Sequence, residues 1–472
     1  MKNHLFIIIA AACSSLAAAT VDSVSFVQDW PWSTDIKITY VLSGVTDPVD
    51  VSVEAFDGAT PLPIATPSAL KGDICGVTGN GLHTVTLDPV KAFGVSRRAY
   101  SSFKVRVTAS ASPANLDEAL YKIFDLSNGS CTDVTRKDLL NGKWGDIETS
   151  YSRIDPNFTT DESDILIWTG VTNDIAYKTT HLVMRKIHAA NKVWRAGDPD
   201  GTLNGNAPLQ SLCYVKLDYD YYIGVFEMTE AQHARSKNAA SANVSPVAKG
   251  AVALYDCYAH TSTDYQTYWG KVSPGERICF PTNSYLRDVG RLMPVSELWD
   301  RTQSAGHVYE FTIPTRAEWE YACRGGNETV LYSGEAQTLD NVNKLAWHTV
   351  NAGGVCQEVG LKAPNAFGLY DMLGNVIERV CSVGGYSAAG VTGAGTEQDP
   401  YLNPVCRRDT VGTSDPSVMG GGSFESDDGK WQDCRPEPAI AWVSYFNAQP
   451  RVGYRVVMPA RADGQWANHP GQ

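Results

Sequence analysis

The first part of the chain alternates apolar and polar residues with a period of two, which restricts its fold more than any other sequence feature. The segments "DIKITYVLSG" and "VDVSVEAF" show the pattern most clearly, and "HTVTLDPV" and "SSFKVRVTAS" repeat it between turn residues. In the first two segments, one face is apolar: Ile36, Ile38, Tyr40, Leu42, Val49, Val51, Val53 and Ala55. Such alternation predicts half-buried antiparallel strands. Residues 20–110 are therefore predicted to form an all-β, immunoglobulin-like sandwich.

We interpret this predicted sandwich as a spacer, because it carries no residue pattern typical of catalysis. Its acids and hydroxyls leave contact with a sugar or a protein partner as the alternative.

The composition favours an ordinary globular protein and excludes nucleic-acid binding. Of the 472 residues, 43 % are hydrophobic and 19 % are charged, so a sizeable core can form and two or three domains are expected. The formal net charge is −13, and the sequence contains no basic run. Phosphate recognition needs clustered Lys and Arg, so we expect no nucleic-acid partner.

The N-terminal segment "MKNHLFIIIAAACSSLAAAT" has the features of an export signal. Lys2 precedes an apolar stretch, and small residues end at Ala19, where we predict cleavage; lipidation of Cys13 is the alternative. No later apolar run reaches the 18 or more residues that a membrane helix requires. We therefore expect an exported protein without a transmembrane helix, located in the periplasm, on the cell surface or in the medium.

Export determines how the cysteines are interpreted. Of the 11 cysteines, Cys13 lies in the predicted signal, so an even number remains for an oxidising compartment. Neither C-x-x-C nor H-E-x-x-H occurs, so no zinc site is recognisable. Pairing into disulfides is the default expectation.

The sequence divides into five predicted regions. They are a signal peptide (1–19), the β-sandwich (20–110), a linker with short strands of uncertain assignment (111–180), a second domain (181–462) and a tail (463–472).

The second domain contains "IPTRAEWEYACRGG", which predicts a short helix with both ends specified. Thr315 and Glu318 have capping-box spacing, so each can satisfy a backbone amide at the helix start. Trp319 and Ala322 fall on one face, and the glycine pair after Arg324 ends the helix.

Three further segments follow this helix in a specific order: "PNAFGLYDMLGNVIERV" (364–380), "GGSF" (421–424) and "VGYRVV" (452–457). Together with "HLVMRKIHAANKVWRAGDP" and "DYYIGVFEMTEAQ", they resemble the formylglycine-generating enzyme family, also called the sulfatase-modifying factor domain. The resemblance implies an α+β, loop-rich variant of the C-type lectin fold. The family includes oxidases that convert a sulfatase cysteine into formylglycine, partners of sulfoxide-forming iron enzymes, and binding or accessory proteins.

The same resemblance implies a structural calcium ion at "DMLGNVIE". Matched to the family pattern, its ligands are the carboxylates of Asp371 and Glu378 and the carbonyls of Gly374 and Val376. Mixed carboxylate and carbonyl oxygens suit calcium. The alternative is a polar turn in which Asp371 caps backbone amides.

In the family's oxidases, two cysteines follow the glycine-glycine-serine-aromatic turn and hold copper(I) as thiolates. The first matching position here is Ser426, and the second falls near Trp431. A serine hydroxyl and an indole cannot replace thiolates, so we do not expect copper.

The resemblance also pairs Cys434 with Cys323 in a disulfide. That bond would close a loop of about 111 residues and stabilise the fold by about 4.7 kcal/mol on the chain-entropy relation. A free reactive thiol at Cys434 and other pairings remain as alternatives.

Two functions follow from these features. The first is a calcium-stabilised binding or accessory module for a protein or glycan, with a cleft near Phe424, Ser426, Trp431 and Arg435, where the family places its substrate. The second is a divergent formylglycine-generating oxidase that uses other cysteines for copper. No catalytic residue is predicted; "GGSFE", for example, lacks the last glycine of a nucleophile elbow.

Overall fold

The computed structural model describes most of the chain, and every structural statement below concerns these residues. They are 19–28, 30–94, 99–149, 166–197, 212–238, 240–249, 302, 304–306, 309, 311–380, 386, 392–404, 417–425, 439–441 and 450–460. They fall into two compact units. The first comprises the described residues up to Leu120 with Val134–Thr149 and Leu166–Gly170; the second comprises Tyr121–Asp133 and the described residues from Val171 onward.

The first unit contains two antiparallel sheets. One has four strands in the order Thr20–Gln28, Ile36–Ser43, Gly81–Leu87 and Leu70–Gly72. The other has three strands in the order Thr60–Leu62, Val49–Asp57 and Phe103–Ala111. The unit also has the short helices Pro89–Phe93 and Arg136–Leu140, the 3₁₀ turn Pro67–Ala69 and a small pair of strands, Glu148–Thr149 and Leu166–Ile167.

The alternation seen in the sequence places the apolar faces of both sheets in one core. Ile38 and Tyr40 are fully buried, and Val51 is 5 % exposed. Both sheets contribute to a single hydrophobic cluster, which also includes Val85 and Val107. The prediction of strands and of their buried face is confirmed, while the immunoglobulin-like topology stays a prediction.

The second unit is built on a five-stranded sheet. Its order is Val457–Pro459, Tyr221–Gly224, His181–Ile187, Ala119–Asp125 and Cys131–Thr135. The last two strands come from residues 111–180, which the sequence left unassigned. A three-stranded sheet contains Val193–Ala196, Cys213–Lys216 and Tyr401–Leu402, and a four-stranded sheet contains Ala439–Ala441, Ser417–Gly420, Ile377–Arg379 and Val452–Tyr454.

The helices whose full ranges lie in the described residues of this unit are Ala176–Thr179, Glu230–Lys237, Arg316–Arg324 and Leu339–Leu345. The fold is thus mixed, with mostly strands and few helices. Within the described ranges, no helix is both long enough and apolar enough to cross a lipid bilayer.

The helix Arg316–Arg324 has both predicted ends. Thr315 Oγ1 accepts a hydrogen bond from the Glu318 amide at 3.2 Å, and the Glu318 carboxylate accepts one from the Thr315 amide at 2.8 Å. Gly325 ends the helix with a φ of 56°, a left-handed conformation that favours glycine. Trp319 is fully buried in the core of the unit. The capping box and the buried face of this helix are therefore confirmed.

Candidate functional site

The second unit contains a cluster of buried charges, which we call the carboxylate cluster. It consists of Glu227, Asp371, Glu378 and Arg455, each at most 1 % exposed. Glu378 lies in the strand Ile377–Arg379, and Arg455 lies between two strands of the C-terminal segment. Burial of charged side chains is costly unless each one is paired, so every contact in this cluster has consequences for stability.

Glu378 is held by two buried donors. The Arg455 guanidinium donates to it through Nη2 to Oε1 at 2.8 Å and through Nε to both oxygens at 3.1 Å. Trp319, presented by the capped helix, donates from its indole Nε1 to Oε2 at 2.8 Å. A carboxylate has about four lone-pair positions, and these four contacts occupy them.

Arg455 also contacts two other parts of the unit. Its Nη1 donates to the Gly224 carbonyl and its Nη2 to the Tyr370 carbonyl, both at 2.8 Å. The guanidinium thereby hydrogen-bonds to the central sheet, to the segment before Asp371 and to the strand that contains Glu378.

Asp371 is only partly satisfied. Its φ of 54° is unusual for a residue other than glycine, and its Oδ2 accepts a hydrogen bond from the Gly360 amide at 2.6 Å. Its Oδ1 is buried and has no hydrogen-bond donor among the described residues. Burial raises the pKa of Asp371 to about 6. A buried carboxylate oxygen without a donor is the kind of atom that a cation would satisfy.

Glu227 is a member of the cluster that the sequence analysis did not identify. Its oxygens accept hydrogen bonds from Asn375 Nδ2 at 2.7 Å and from the Val376 amide at 3.1 Å. Burial, followed by the neighbouring charges of Asp371 and Glu378, raises the pKa of Glu227 well above its ordinary value. The sequence feature that could have identified Glu227 is its position as a lone acid in the apolar run "YYIGVFEM", where a charge is expected only with a buried partner.

The predicted calcium loop is fixed in place by tertiary contacts. The Asn375 amide donates to the Trp347 carbonyl at 2.7 Å, and the Asn375 carbonyl accepts from the Phe424 amide at 2.8 Å. Gly374 has a φ of 78°, and a Cβ added there would lie 2.2 Å from the Trp347 carbonyl oxygen. Glycine is therefore required at 374 both for its backbone conformation and for space.

The residues present fit a calcium ion in part. Asp371 fits, because its Oδ1 needs a positive partner and because three carboxylates face one guanidinium. Glu378 does not fit as a ligand in this arrangement, because Arg455 and Trp319 already occupy its oxygens. No group of three or more His, Cys, Asp or Glu side chains that could hold a metal lies in the described part of the chain. A calcium ion here would take Asp371 Oδ1 and backbone oxygens of the loop.

Burial disfavours the thiolate at four cysteines of the described residues. Burial raises the pKa of Cys131 to about 11 and that of Cys75 and Cys356 to about 12. Cys323 is fully buried and carries a thiol that contacts the Met372 carbonyl at 3.6 Å; burial raises its pKa well above the ordinary value. Cys434 lies outside the described residues, so the Cys323–Cys434 pairing stays a prediction.

The predicted cleft is described at one position only. Phe424 is 3 % exposed, so its ring belongs to the core and its side chain is not offered to a ligand. Ser426, Trp431 and Arg435 lie outside the described residues.

The glycine turn before Phe424 is set by close packing. A Cβ at Gly420 would lie 2.5 Å from the Trp319 ring, and the Gly421 carbonyl accepts from the Gly374 amide at 2.7 Å. The glycine turn and the predicted calcium loop therefore lie side by side.

The model of the Sulfatase-modifying factor enzyme 1-like domain matches residues 205–460. The Chaperone protein LppX of Paenibacillus barcinonensis is 34 % identical over 87 residues, which cover 14 % of this chain and 30 % of that protein.

Similar solved structures include three proteins of low identity. Treponema denticola variable protein 1 is 20 % identical with a TM-score of 0.37, and the alignment covers 59 % of this chain and 95 % of that one. PvdO from Pseudomonas aeruginosa is 17 % identical with a TM-score of 0.36, covering 58 % and 93 %. CarF is 17 % identical with a TM-score of 0.30, covering 58 % and 100 %. Because the family model spans more than half of the 472 residues, this chain belongs to the sulfatase-modifying factor, or formylglycine-generating enzyme, domain family.

Proposed function

We propose that this chain is an exported binding or accessory member of its family, stabilised by calcium and without formylglycine-generating oxidase activity. The observation that carries the proposal is the pair Ser426 and Trp431 at the positions where the resemblance places copper thiolates. The ligand that it binds is a protein or a glycan. The predicted C-type-lectin-like fold and the immunoglobulin-like sandwich before it belong to the same proposal.

The chemistry of the described cysteines supports this reading. Copper(I) is held by thiolates, and forming a thiolate is harder where burial disfavours the charge. The pKa values of Cys131, Cys323 and Cys356 are all raised by burial. None of these three thiols is therefore primed to replace the missing pair.

An activity assay tests the proposal directly. The protein is incubated with copper, oxygen, a thiol reductant and a sulfatase-type peptide that contains Cys-x-Pro-x-Arg, and the peptide mass is measured. We expect an unchanged peptide, while a family oxidase that has both cysteines converts the same peptide in parallel. Loss of mass corresponding to thiol becoming aldehyde would support the divergent oxidase instead. A competition assay for copper(I) binding gives a second, independent readout.

Calcium binding is tested by thermal and chemical unfolding. Extracellular calcium modules bind with Kd values of about 10⁻⁴ to 10⁻³ M, so about 10 mM calcium should stabilise the fold by roughly 1.4 to 2.7 kcal/mol. We expect this gain to disappear with EDTA and in Asp371→Asn. The exposed-residue variant Glu397→Gln should keep it. Equal stability with calcium and with EDTA would remove calcium from the proposal.

A further inference from the structure

The first unit presents two tryptophans to solvent at one tip. Trp30 is 60 % exposed and Trp32 is 85 % exposed, and both lie in the connection between the strands Thr20–Gln28 and Ile36–Ser43. Exposed rings of this size, two residues apart, present apolar area that a protein ordinarily buries or uses for binding. We call this surface the tryptophan tip.

The base of the tryptophan tip is held by hydrogen bonds. Gln28 Nε2 donates to the Thr34 carbonyl at 2.7 Å, which ties the two sides of the connection together. The Asp35 amide donates to Ser33 Oγ at 3.0 Å. Below it, Phe26 packs edge-to-face against Phe103 with ring centroids 5.2 Å apart. These contacts restrain residues on both sides of the two rings, and such restraint lowers the ordering cost of binding.

Polar residues adjoin the two tryptophans in the sequence. Gln28 and Asp35 are exposed, and Ser33 is half-buried. An amide, a carboxylate and a hydroxyl in the same short connection as two exposed rings match the chemistry of a sugar, whose C–H face packs on a ring while its hydroxyls hydrogen-bond at the edge.

The charge of the residues around the tryptophan tip favours a neutral partner over an anionic membrane surface. Asp29 and Asp35 flank the tryptophans in the sequence, Lys37 is the nearest cation, and the whole chain has a net charge of −13. Membrane-surface segments rely on clustered Lys and Arg to reach anionic lipid, and this tip has the opposite charge. A neutral partner meets no such repulsion.

We infer that the tryptophan tip binds a neutral polysaccharide by stacking sugar rings on Trp30 and Trp32. This assigns a ligand class to the first unit. It is independent of the calcium loop and of the oxidase question, so the proposed function can fail without affecting it.

Native affinity electrophoresis of the full chain tests the inference. The gels contain hydroxyethyl cellulose, pullulan, galactomannan or laminarin, all of which are neutral. We expect at least one of them to retard the protein. We also expect the apparent affinity to fall about tenfold in Trp30→Ala and in Trp32→Ala, and retardation to be lost in the double variant. Trp32→Phe should retain part of the affinity because it keeps a ring.

Leu82→Ala is the matched control, because Leu82 is 72 % exposed on the strand Gly81–Leu87 of the same unit. It should bind like the unmodified protein. A second measurement needs no variant: the glycan should protect part of the tryptophan fluorescence from acrylamide quenching. No retardation by any of the four glycans would overturn the inference. Full affinity in the double variant, or tip-dependent binding to lipid vesicles instead of glycans, would also overturn it.

Discussion

At the scale of single residues, Arg455 pairs with one acid of the carboxylate cluster, Glu378. It is fully buried, and it is the cation that directly contacts an acid of this cluster in the described residues. Lys178, also buried, pairs with Glu358 at 2.9 Å instead. Burial raises the pKa of both Glu227 and Asp371, and the neighbouring carboxylates add to the rise because the cluster has three acids and one contacting guanidinium.

A variant without the charge of Glu378 tests its pairing with Arg455. Glu378→Gln leaves the buried Arg455 guanidinium without its carboxylate, and breaking a buried pair in this way costs about 3 to 5 kcal/mol. We expect that loss in the free energy of unfolding, measured with urea. The control is the same substitution at an exposed pair, Glu335→Gln, which loses a contact to Lys344 at 3.6 Å and should cost less than about 1 kcal/mol. Equal effects of the two variants would contradict the assigned role of Glu378.

Asp371 gives a prediction about pH. Its pKa rises from the ordinary 3.8 to about 6 on folding, so the folded protein binds the proton more tightly than the unfolded chain does. The stability that this residue contributes is therefore present below about pH 4 and is lost as the pH rises through about 6. With EDTA present, titration of Asp371 should lower the free energy of unfolding of the unmodified protein by about 2 to 3 kcal/mol as the pH rises between these limits. Asp371→Asn should not show this decrease.

The measurement is urea unfolding of both proteins across this pH range, and the quantity compared is the difference between them. Glu397→Gln, at an exposed acid, should change with pH as the unmodified protein does. A difference between Asp371→Asn and the unmodified protein that does not vary with pH would show that Asp371 does not titrate in this window.

At the scale of secondary-structure elements, the sequence was informative wherever the signal is local. The helix Arg316–Arg324 has its cap, its buried face and its terminating glycine within a dozen residues, and all three were predicted. The strands of the first unit were predicted for the same reason, because their period of two is contained in each segment. The strand Ala119–Asp125 lies in a region predicted to hold short strands of uncertain assignment, because its apolar residues come in pairs, Leu120-Tyr121 and Ile123-Phe124, and do not alternate with polar ones.

The loop that contains Gly374 depends on distant contacts, and its glycine can be tested. A methyl group at 374 meets the Trp347 carbonyl at 2.2 Å in addition to the strain of a positive φ. We expect Gly374→Ala to cost about 2 to 5 kcal/mol. Gly353→Ala is the control, since Gly353 has a similar φ of 66° but open space around its Cβ, and it should cost only about 1 kcal/mol. Similar costs at both sites would mean that backbone strain alone sets the effect.

At the scale of the whole molecule, the family could be predicted from short motifs, but the chemistry at its centre could not. Glu227, Glu378 and Arg455 come from segments far apart in the chain, and no local pattern connects them. The place of Glu378 in a motif predicted a calcium ligand. In the folded structure, Arg455 and Trp319 already occupy the oxygens of Glu378, and no local sequence pattern indicates this. Charged residues within apolar runs, such as Arg455 in "VGYRVV", were the available sign of a buried cluster.

The last prediction concerns the covalent connection between Cys323 and Cys434. Cys323 is fully buried in the helix Arg316–Arg324, so an unpaired thiol there would be shielded from reagents until the protein unfolds. Denaturation of the protein with iodoacetamide and without reductant distinguishes an unpaired Cys323 thiol from a Cys323–Cys434 disulfide. If the pair is bonded, a cross-linked tryptic peptide should contain both residues and should separate after reduction.

The stability that the predicted disulfide contributes is tested by unfolding. A loop of about 111 residues predicts a loss of up to about 4.7 kcal/mol in the double variant Cys323→Ala/Cys434→Ala. Because truncation of a buried Cys323 leaves a small cavity even without a bond, Cys323→Ala alone in reduced protein serves as the reference. Alkylation of both cysteines in the unreduced, unfolded protein would contradict the pairing, and Cys323 would then be a buried thiol that stabilises the core by packing.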